Sequence, residues 1–128
     1  DVCSSDLIEA RLAEEAPNLS VSITCEDGLP DVLADEYLLR ALVNLMSGAS
    51  TTFEMTSELR IFAFGSGVGF RVRRHILYEF NLEKLFAPNT AFATADAIIY
   101  QHNSALQVDV EDNDITLIFA LFGTDETD

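Results

Sequence analysis

A leucine-rich stretch from Asp35 to Ala49 constrains the fold of this chain more than any other feature of its sequence. Its apolar residues recur every three or four positions, the spacing that places side chains on one face of an α-helix. They are Leu38, Leu39, Leu42, Val43, Leu45, Met46 and Ala49. A stripe this wide must be buried against other elements. We predict a helix from Asp35, as its N-cap, to Ser47, with Gly48 ending it.

Length and composition are those of an ordinary globular domain. The 128 residues are 48% hydrophobic, enough to bury a core, and we interpret 1–128 as a single domain that looks excised from a longer protein. No apolar stretch is long enough to cross a membrane, and no signal-peptide pattern is present. We therefore expect a cytoplasmic domain that makes no membrane contact.

The charge of the chain restricts its partners. A net charge of −15, from 22 acidic and 7 basic residues, would repel phosphates, which argues against DNA, RNA or an anionic membrane. Two explanations stay open: solubility in a salt-rich habitat, or a surface for a basic partner. Cys3 and Cys25 lack metal-ligand spacing and only two histidines accompany them, so we predict reduced thiols and no metal site.

Apolar periodicity along the rest of the chain predicts further helices and strands. The predicted helices are Ser5–Ala16, the short Leu82–Phe86 and Thr90–Gln101. The predicted strands are Leu19–Cys25, Leu59–Phe64, Gly69–Ile76, Leu106–Val110 and Ile115–Phe122, with hairpin turns centred on Ser66 and Asn113. This order implies an α+β fold, a two-layer α/β sandwich in which three main helices lie on one face of a mixed, mostly antiparallel sheet.

Short motifs follow one another along the chain. Asn44–Ala49 reads N-L-M-S-G-A, Leu82–Pro88 reads L-E-K-L-F-A-P and Ile98–Asn103 reads I-I-Y-Q-H-N. In this order they resemble the N-L-x-x-N-A motif, the phenylalanine-containing F box and the I-V-x-x-H-G motif of the catalytic, ATP-binding domain of sensor histidine kinases. Pro30–Asp35 and Ile115–Leu121 are also similar to segments of that family. The resemblance covers nearly the whole chain and implies the Bergerat, or GHKL, fold.

The positions that bind nucleotide in that family differ here. Asn44 keeps the first amide, which reaches Mg²⁺ and the phosphates in the family, but Gly48 replaces the second. Arg73–Leu77 stands in place of D-x-G-x-G, whose carboxylate accepts a hydrogen bond from adenine, whereas arginine only donates. Pro88–Thr94 contains no glycine where the family has G-x-G-L-G, and the segment after Phe86 is too short for the family's ATP lid. We expect a degenerate domain without a bound cofactor, with Asn44 as a remnant of the site.

The resemblance implies a non-catalytic, pseudokinase-like domain of a two-component signalling protein. It would act through contacts with a response regulator or a kinase partner, as in a histidine phosphotransferase, and would form a homodimer through a helical segment outside this sequence. His102 is expected to cap helix carbonyls rather than to catalyse, so we predict no catalytic residue. Two alternatives stay open: a divergent histidine kinase domain that still binds ATP and Mg²⁺, and a scaffold or dimerisation module unrelated to phosphotransfer.

Two surfaces are candidates for the partner-binding site. Arg71, Arg73 and Arg74 form the only basic cluster of this acidic chain, and strand alternation puts Arg71 and Arg73 on one face. Such a cluster suits the carboxylates of a partner; the alternative is that these arginines are solvated strand residues. The second candidate is the short apolar helix with Leu85 and Phe86.

Overall fold

The computed structural model of the chain describes residues 10–14, 19–29, 36–48, 56–76 and 80–122. Within them lie strands β1 (Ser20–Cys25), β2 (Thr56–Phe64), β3 (Gly67–His75), β4 (Gln107–Glu111) and β5 (Asp114–Leu121), and helices α1 (Glu36–Ser47), α2 (Leu82–Leu85) and α3 (Ala91–Gln101). Residues 10–14 are also helical, and the rest of the predicted Ser5–Ala16 helix lies outside the described residues. The predicted order of the described elements is confirmed.

The five strands form one mixed sheet in the order β1-β2-β3-β5-β4. β1 runs parallel to β2, and the other neighbouring pairs are antiparallel. The β2–β3 hairpin turns at Gly65 and Ser66, and Gly65 has a φ of 57°, which glycine adopts without a steric penalty. The β4–β5 hairpin turns at Asp112 and Asn113. Both predicted hairpin centres are confirmed.

The central hairpin is longer than the alternation of apolar residues predicts. β2 begins at Thr56 rather than Leu59, and β3 begins at Gly67 rather than Gly69. The extra residues are paired in register, since Thr56 lies opposite His75 and Phe64 lies opposite Gly67. Polar and glycine residues therefore continue the backbone ladder beyond the apolar pattern that marks it in the sequence.

The helices cover one face of the sheet, and the core lies between the two layers. α1 packs against α3 and against β2 and β3. Leu12, from the helical residues 10–14, is buried in the same core. Its fully buried members on the sheet are Leu59, Ile61, Val68, Phe70, Val72, Ile115 and Leu117. The predicted two-layer α+β sandwich is confirmed. No helix in the described ranges is both long and apolar enough to span a membrane.

The stacked pair of Phe70 and Phe119 at the centre of the sheet tests this core. Their ring centroids lie 4.9 Å apart, and Phe70 is completely buried. We expect Phe70→Ala to lower the free energy of unfolding by about 3–5 kcal/mol, because it removes apolar burial and leaves a cavity. Tyr100→Ala, at a position 77% exposed, should change it by less than about 0.5 kcal/mol. Urea unfolding compares the two, and equal effects would contradict this core.

Candidate functional site

Gly48, at the end of α1, occupies the position where the resembled family has its second asparagine. Its N–H donates to the Asn44 carbonyl at 2.7 Å. A Cβ atom placed on Gly48 would lie 2.6 Å from the Asn44 carbonyl oxygen, 2.9 Å from Cε1 of Phe92 and 3.0 Å from Cβ of Ala91. The close approach of α3 therefore fills the space that an asparagine side chain at position 48 would need.

The amide of Asn44 is used within the protein. Its Nδ2 donates to the carbonyl oxygen of Ala91 at 3.3 Å, and the side chain is half-buried. This contact ties α1 to the first residue of α3. The Asn44 amide therefore bonds to the protein backbone in this structure. The sequence predicts the same amide as a remnant of the Mg²⁺ and phosphate site of the resembled family.

Arg74 lies in the protein interior and is only 1% exposed. Its Nη1 donates to the carbonyl oxygen of Leu45 at 3.0 Å and to that of Gly48. The guanidinium carbon also lies 5.7 Å from the centroid of the Phe92 ring, a cation–π distance. The last carbonyls of a helix carry partial negative charge and lack helical partners, so a buried cation is stabilised there.

The prediction that Arg74 belongs to a partner-binding surface is therefore wrong. Successive side chains of a strand point to opposite faces of the sheet, so Arg71 and Arg73 point away from the helices and Arg74 points toward them. Its charge is held by α1 and α3 and is not accessible to a partner. Arg71, Arg73 and Arg74 are close in sequence, but the strand places Arg74 on the opposite face of the sheet from the other two.

The resemblance places three positions around the nucleotide: Asn44, position 48 and the segment Arg73–Leu77. Here protein contacts connect them directly to one another or to the start of α3. Arg74 bonds to the Gly48 carbonyl, Asn44 bonds to Ala91, and the Phe92 ring lies against both Arg74 and Gly48. The described side chains of this region thus contact one another or neighbouring backbone.

The short helix α2 exposes less of its apolar surface than predicted. Asn81 caps it, accepting a hydrogen bond from the Glu83 N–H at 2.8 Å. Leu85 and Phe86 are only partly exposed and pack against the core, and the Phe86 ring centroid lies 5.3 Å from that of Phe92. Both side chains therefore take part in packing within the domain, Leu85 against the core and Phe86 against Phe92 of α3.

Arg71 and Arg73 lie on the face of the sheet opposite the helices, as strand alternation predicted. Arg73 is exposed, with Nη1 3.8 Å from Glu58 Oε1, and Arg71 is half-buried. Arg60 of β2 stands directly opposite Arg71. Arg60 is not among the residues predicted from the sequence, although counting back from the Gly65-Ser66 turn gives this register.

Glu26, just after β1, holds Arg60. Its carboxylate accepts hydrogen bonds from the Ala63 N–H at 3.0 Å and from Arg60 Nη2 at 3.2 Å. The Ala63 N–H, helped by the Arg60 guanidinium, lowers the pKa of Glu26 below the ordinary glutamate value. Glu26 is therefore ionised at neutral pH, and Arg60 keeps an anionic partner there.

The two histidines have structural contacts. His102 is the C-cap of α3, with Nδ1 2.8 Å from the Ile98 carbonyl oxygen, so the predicted capping role is confirmed. His75 lies on the face of the sheet opposite the helices, here called the open face, with Nδ1 2.7 Å from Asp114 Oδ1. Cys25 carries a free thiol, whereas Cys3 lies outside the described residues. Within the described part of the chain, no cluster of three or more potential metal ligands is present.

Comparisons with known proteins identify the fold. No family model matches the sequence, and none of the curated proteins matches it. Among solved structures, the chain is similar to the histidine kinase AdeS of Acinetobacter baumannii, with a TM-score of 0.71 and 11% identity over 94% of this chain and 66% of that one. It is also similar to the nucleotide-free catalytic domain of the histidine kinase ThkA, with a TM-score of 0.70 and 16% identity over 91% and 87% of the two chains.

A third solved structure is ThkA in complex with the response regulator protein TrrA. The TM-score is 0.72 at 18% identity, over 97% of this chain and 40% of the ThkA chain. This chain thus spans about two thirds or less of the AdeS and ThkA chains of these two structures. Likeness at this low identity shows the fold. The protein has the fold of a histidine-kinase catalytic domain, the GHKL sandwich that the motifs predicted.

The buried contacts of Arg74 can be tested against its neighbour on the same strand. We expect Arg74→Ala to lower the free energy of unfolding by at least about 2 kcal/mol, because it leaves buried carbonyls at the end of α1 without their charged donor. Arg73→Ala removes only an exposed pair and should cost less than about 1 kcal/mol. Urea unfolding of both variants checks this. Equal stability would show that Arg74 does not cap α1.

The packing at position 48 predicts that introducing the asparagine of the resembled family at this position lowers the stability of the fold. Gly48→Asn should cost about 1–3 kcal/mol, because the new side chain collides with the Asn44 carbonyl and with Phe92. Gly28→Asn is the matched control. Gly28 has a φ of 72°, which asparagine tolerates, and no heavy atom would lie within 4 Å of its Cβ. Thermal unfolding in which Gly48→Asn is as stable as Gly28→Asn would contradict the packing.

Proposed function

We propose that this chain is a non-catalytic, pseudokinase-like domain of a two-component signalling protein and acts through contacts with other proteins. A cytoplasmic location is part of the same proposal. The observation that carries it is the contact of Arg74 with the end of α1 and with Phe92. Arg74 comes from the segment that replaces D-x-G-x-G, and its guanidinium bonds to the carbonyls of Leu45 and Gly48, beside the first and at the second of the two positions where the resembled family presents amides.

Charge supports the same conclusion. A nucleotide at this site would need an acceptor for the adenine amino group, and arginine has only donors. To enter, the nucleotide would have to displace Arg74 from two carbonyls and from the Phe92 ring, and this cost would be subtracted from its binding free energy. The net charge of −15 also opposes a polyanionic ligand.

The proposed partner is a response regulator or a kinase that works with one. The similar kinase ThkA has been solved in complex with the response regulator TrrA, which supports the choice of this class. A second candidate function is a divergent kinase domain that still binds ATP. Asn44, which matches the first asparagine of the resembled family, favours this divergent kinase. Titration with ATP and ADP decides between the two candidate functions.

Calorimetric titration with ATP and ADP, with and without Mg²⁺, tests the absence of nucleotide binding. We expect dissociation constants no tighter than about 1 mM, which corresponds to only about −4 kcal/mol. A histidine-kinase catalytic domain that keeps both asparagines and D-x-G-x-G serves as the positive control. Micromolar binding by this chain would overturn the proposal and favour the divergent kinase.

Charge reversal tests the partner contact. Replacing Arg71 and Arg73 with glutamate should change the melting temperature little, because strand charges at the surface contribute little to stability. It should weaken association with the cognate response regulator about tenfold or more, roughly 1.4 kcal/mol. If association is unchanged while Phe86→Ala abolishes it without unfolding the domain, the partner binds at α2 instead.

A further inference from the structure

The face of the sheet opposite the helices carries three of the seven basic residues of the chain. Arg60, Arg71 and Arg73, here called the arginine cluster, lie together on this face of a chain that has only 7 basic residues against 22 acidic ones. Arg60 stands directly opposite Arg71 on the neighbouring strand. Like charges directly opposite each other destabilise a sheet, so an anionic partner at this pair is favourable.

Arg71 is the member of the cluster whose charge is not compensated by the described residues. Arg60 pairs with Glu26 at 3.2 Å, and Arg73 approaches Glu58 at 3.8 Å. Arg71 forms no hydrogen bond or ion pair within the described part of the chain, and its Nε is buried. Because Arg71 is only half-buried and lacks an ion-pair partner among the described residues, a carboxylate supplied from outside would bind the accessible nitrogens of its guanidinium.

An aromatic cluster adjoins the arginine cluster on the same face. Phe62, Phe64 and Phe122 lie in sequence across it, with ring centroids 6.5 Å apart in each neighbouring pair. Phe64 is 52% exposed and Phe122 49% exposed. Such large exposed aromatic side chains are common anchors in protein interfaces.

Phe62 joins the two clusters. A Cβ on Gly69 would lie 2.6 Å from the Phe62 ring, so glycine at this position lets the ring lie over β3. The guanidinium of Arg60 lies 5.7 Å from the centroid of the same ring. Arg60 and Phe62 are two residues apart on β2, about 7 Å along a strand. The basic and aromatic halves therefore form one continuous surface.

We propose that the arginine and aromatic clusters together dock an extended acidic segment of a partner protein. Two carboxylates of the segment, two residues apart, bind Arg73 and Arg71, which are two residues apart on β3, and an apolar side chain two to four residues further on packs on Phe62 and Phe64. The spacing follows from the strands, since alternate residues of an extended segment repeat at about the same 7 Å interval. The inference rests on the proposed function, because it assumes that the domain acts by protein contact.

The charge of the whole chain gives this docking its orientation. An acidic segment is repelled by the net charge of −15 and attracted at the arginine cluster, which favours an approach to this cluster. The arginines are accessible enough for salt to screen them, and the affinity should fall as ionic strength rises. The apolar half of the contact should be less sensitive to salt.

A labelled synthetic peptide with the order Glu-Ser-Glu-Ser-Phe-Ser-Leu tests the surface. Fluorescence anisotropy should show salt-sensitive binding to the whole chain. A peptide with glutamine in place of both glutamates should bind at least about tenfold more weakly. Arg71→Gln should weaken binding about tenfold or more, roughly 1.4 kcal/mol, and Phe64→Ser should also weaken it.

Arg40→Gln is the matched control, because Arg40 is an exposed arginine on α1, away from the open face. It should leave binding unchanged, and the melting temperatures of the three variants should stay close to that of the parent. Equal binding by Arg71→Gln and Arg40→Gln, equal affinity for the glutamate and glutamine peptides, or no peptide binding at all would overturn the proposal.

Nucleotide calorimetry on the same samples separates this inference from the proposed function. Failure of peptide binding together with absent ATP binding rejects the docking surface and leaves the non-catalytic role in place. Micromolar ATP binding together with arginine-dependent peptide binding rejects the non-catalytic role and leaves the docking surface in place.

Discussion

The hydrogen bonds from Arg74 to the end of α1 are the interaction on which the centre of this domain depends. A guanidinium that is 1% exposed loses its hydration, and the carbonyls of Leu45 and Gly48 replace it in part. The ring of Phe92 adds a third contact from α3. One charged side chain of β3 thereby joins the sheet to both main helices. The helices cannot move apart here without exposing a buried charge to an apolar gap.

The sequence predicted the elements well because their signals are local. The leucine stripe of α1 and the glycine turn at Ser66 each specify structure within a few residues. The contacts of Arg74 are different, because they join residues far apart in the chain and leave no local pattern. Strand alternation does predict that Arg74 and Arg71 point to opposite faces of the sheet. Their proximity in sequence nevertheless led to their being grouped as one cluster. The burial of Phe86 likewise depends on the position of Phe92, which no local signal gives.

Fold and site respond differently to sequence change in this domain. Solved histidine-kinase structures share the fold at 11–18% identity, because the fold needs only apolar stripes of the right period. The site needs particular functional groups at particular positions. Gly48 illustrates the difference: the absence of a side chain there lets Ala91 and Phe92 pack closely on α1, at the position where the resembled family has an amide.

β3 carries residues of both the helix-covered face and the open face of the sheet, because successive side chains of a strand point in opposite directions. Its inward Arg74 occupies the region where the resembled family binds nucleotide, and its outward Arg71 forms no ion pair with the described residues. Two residues that point to opposite faces of one strand can be substituted independently, although they share the same backbone. A partner that binds Arg71 therefore holds the strand that positions Arg74.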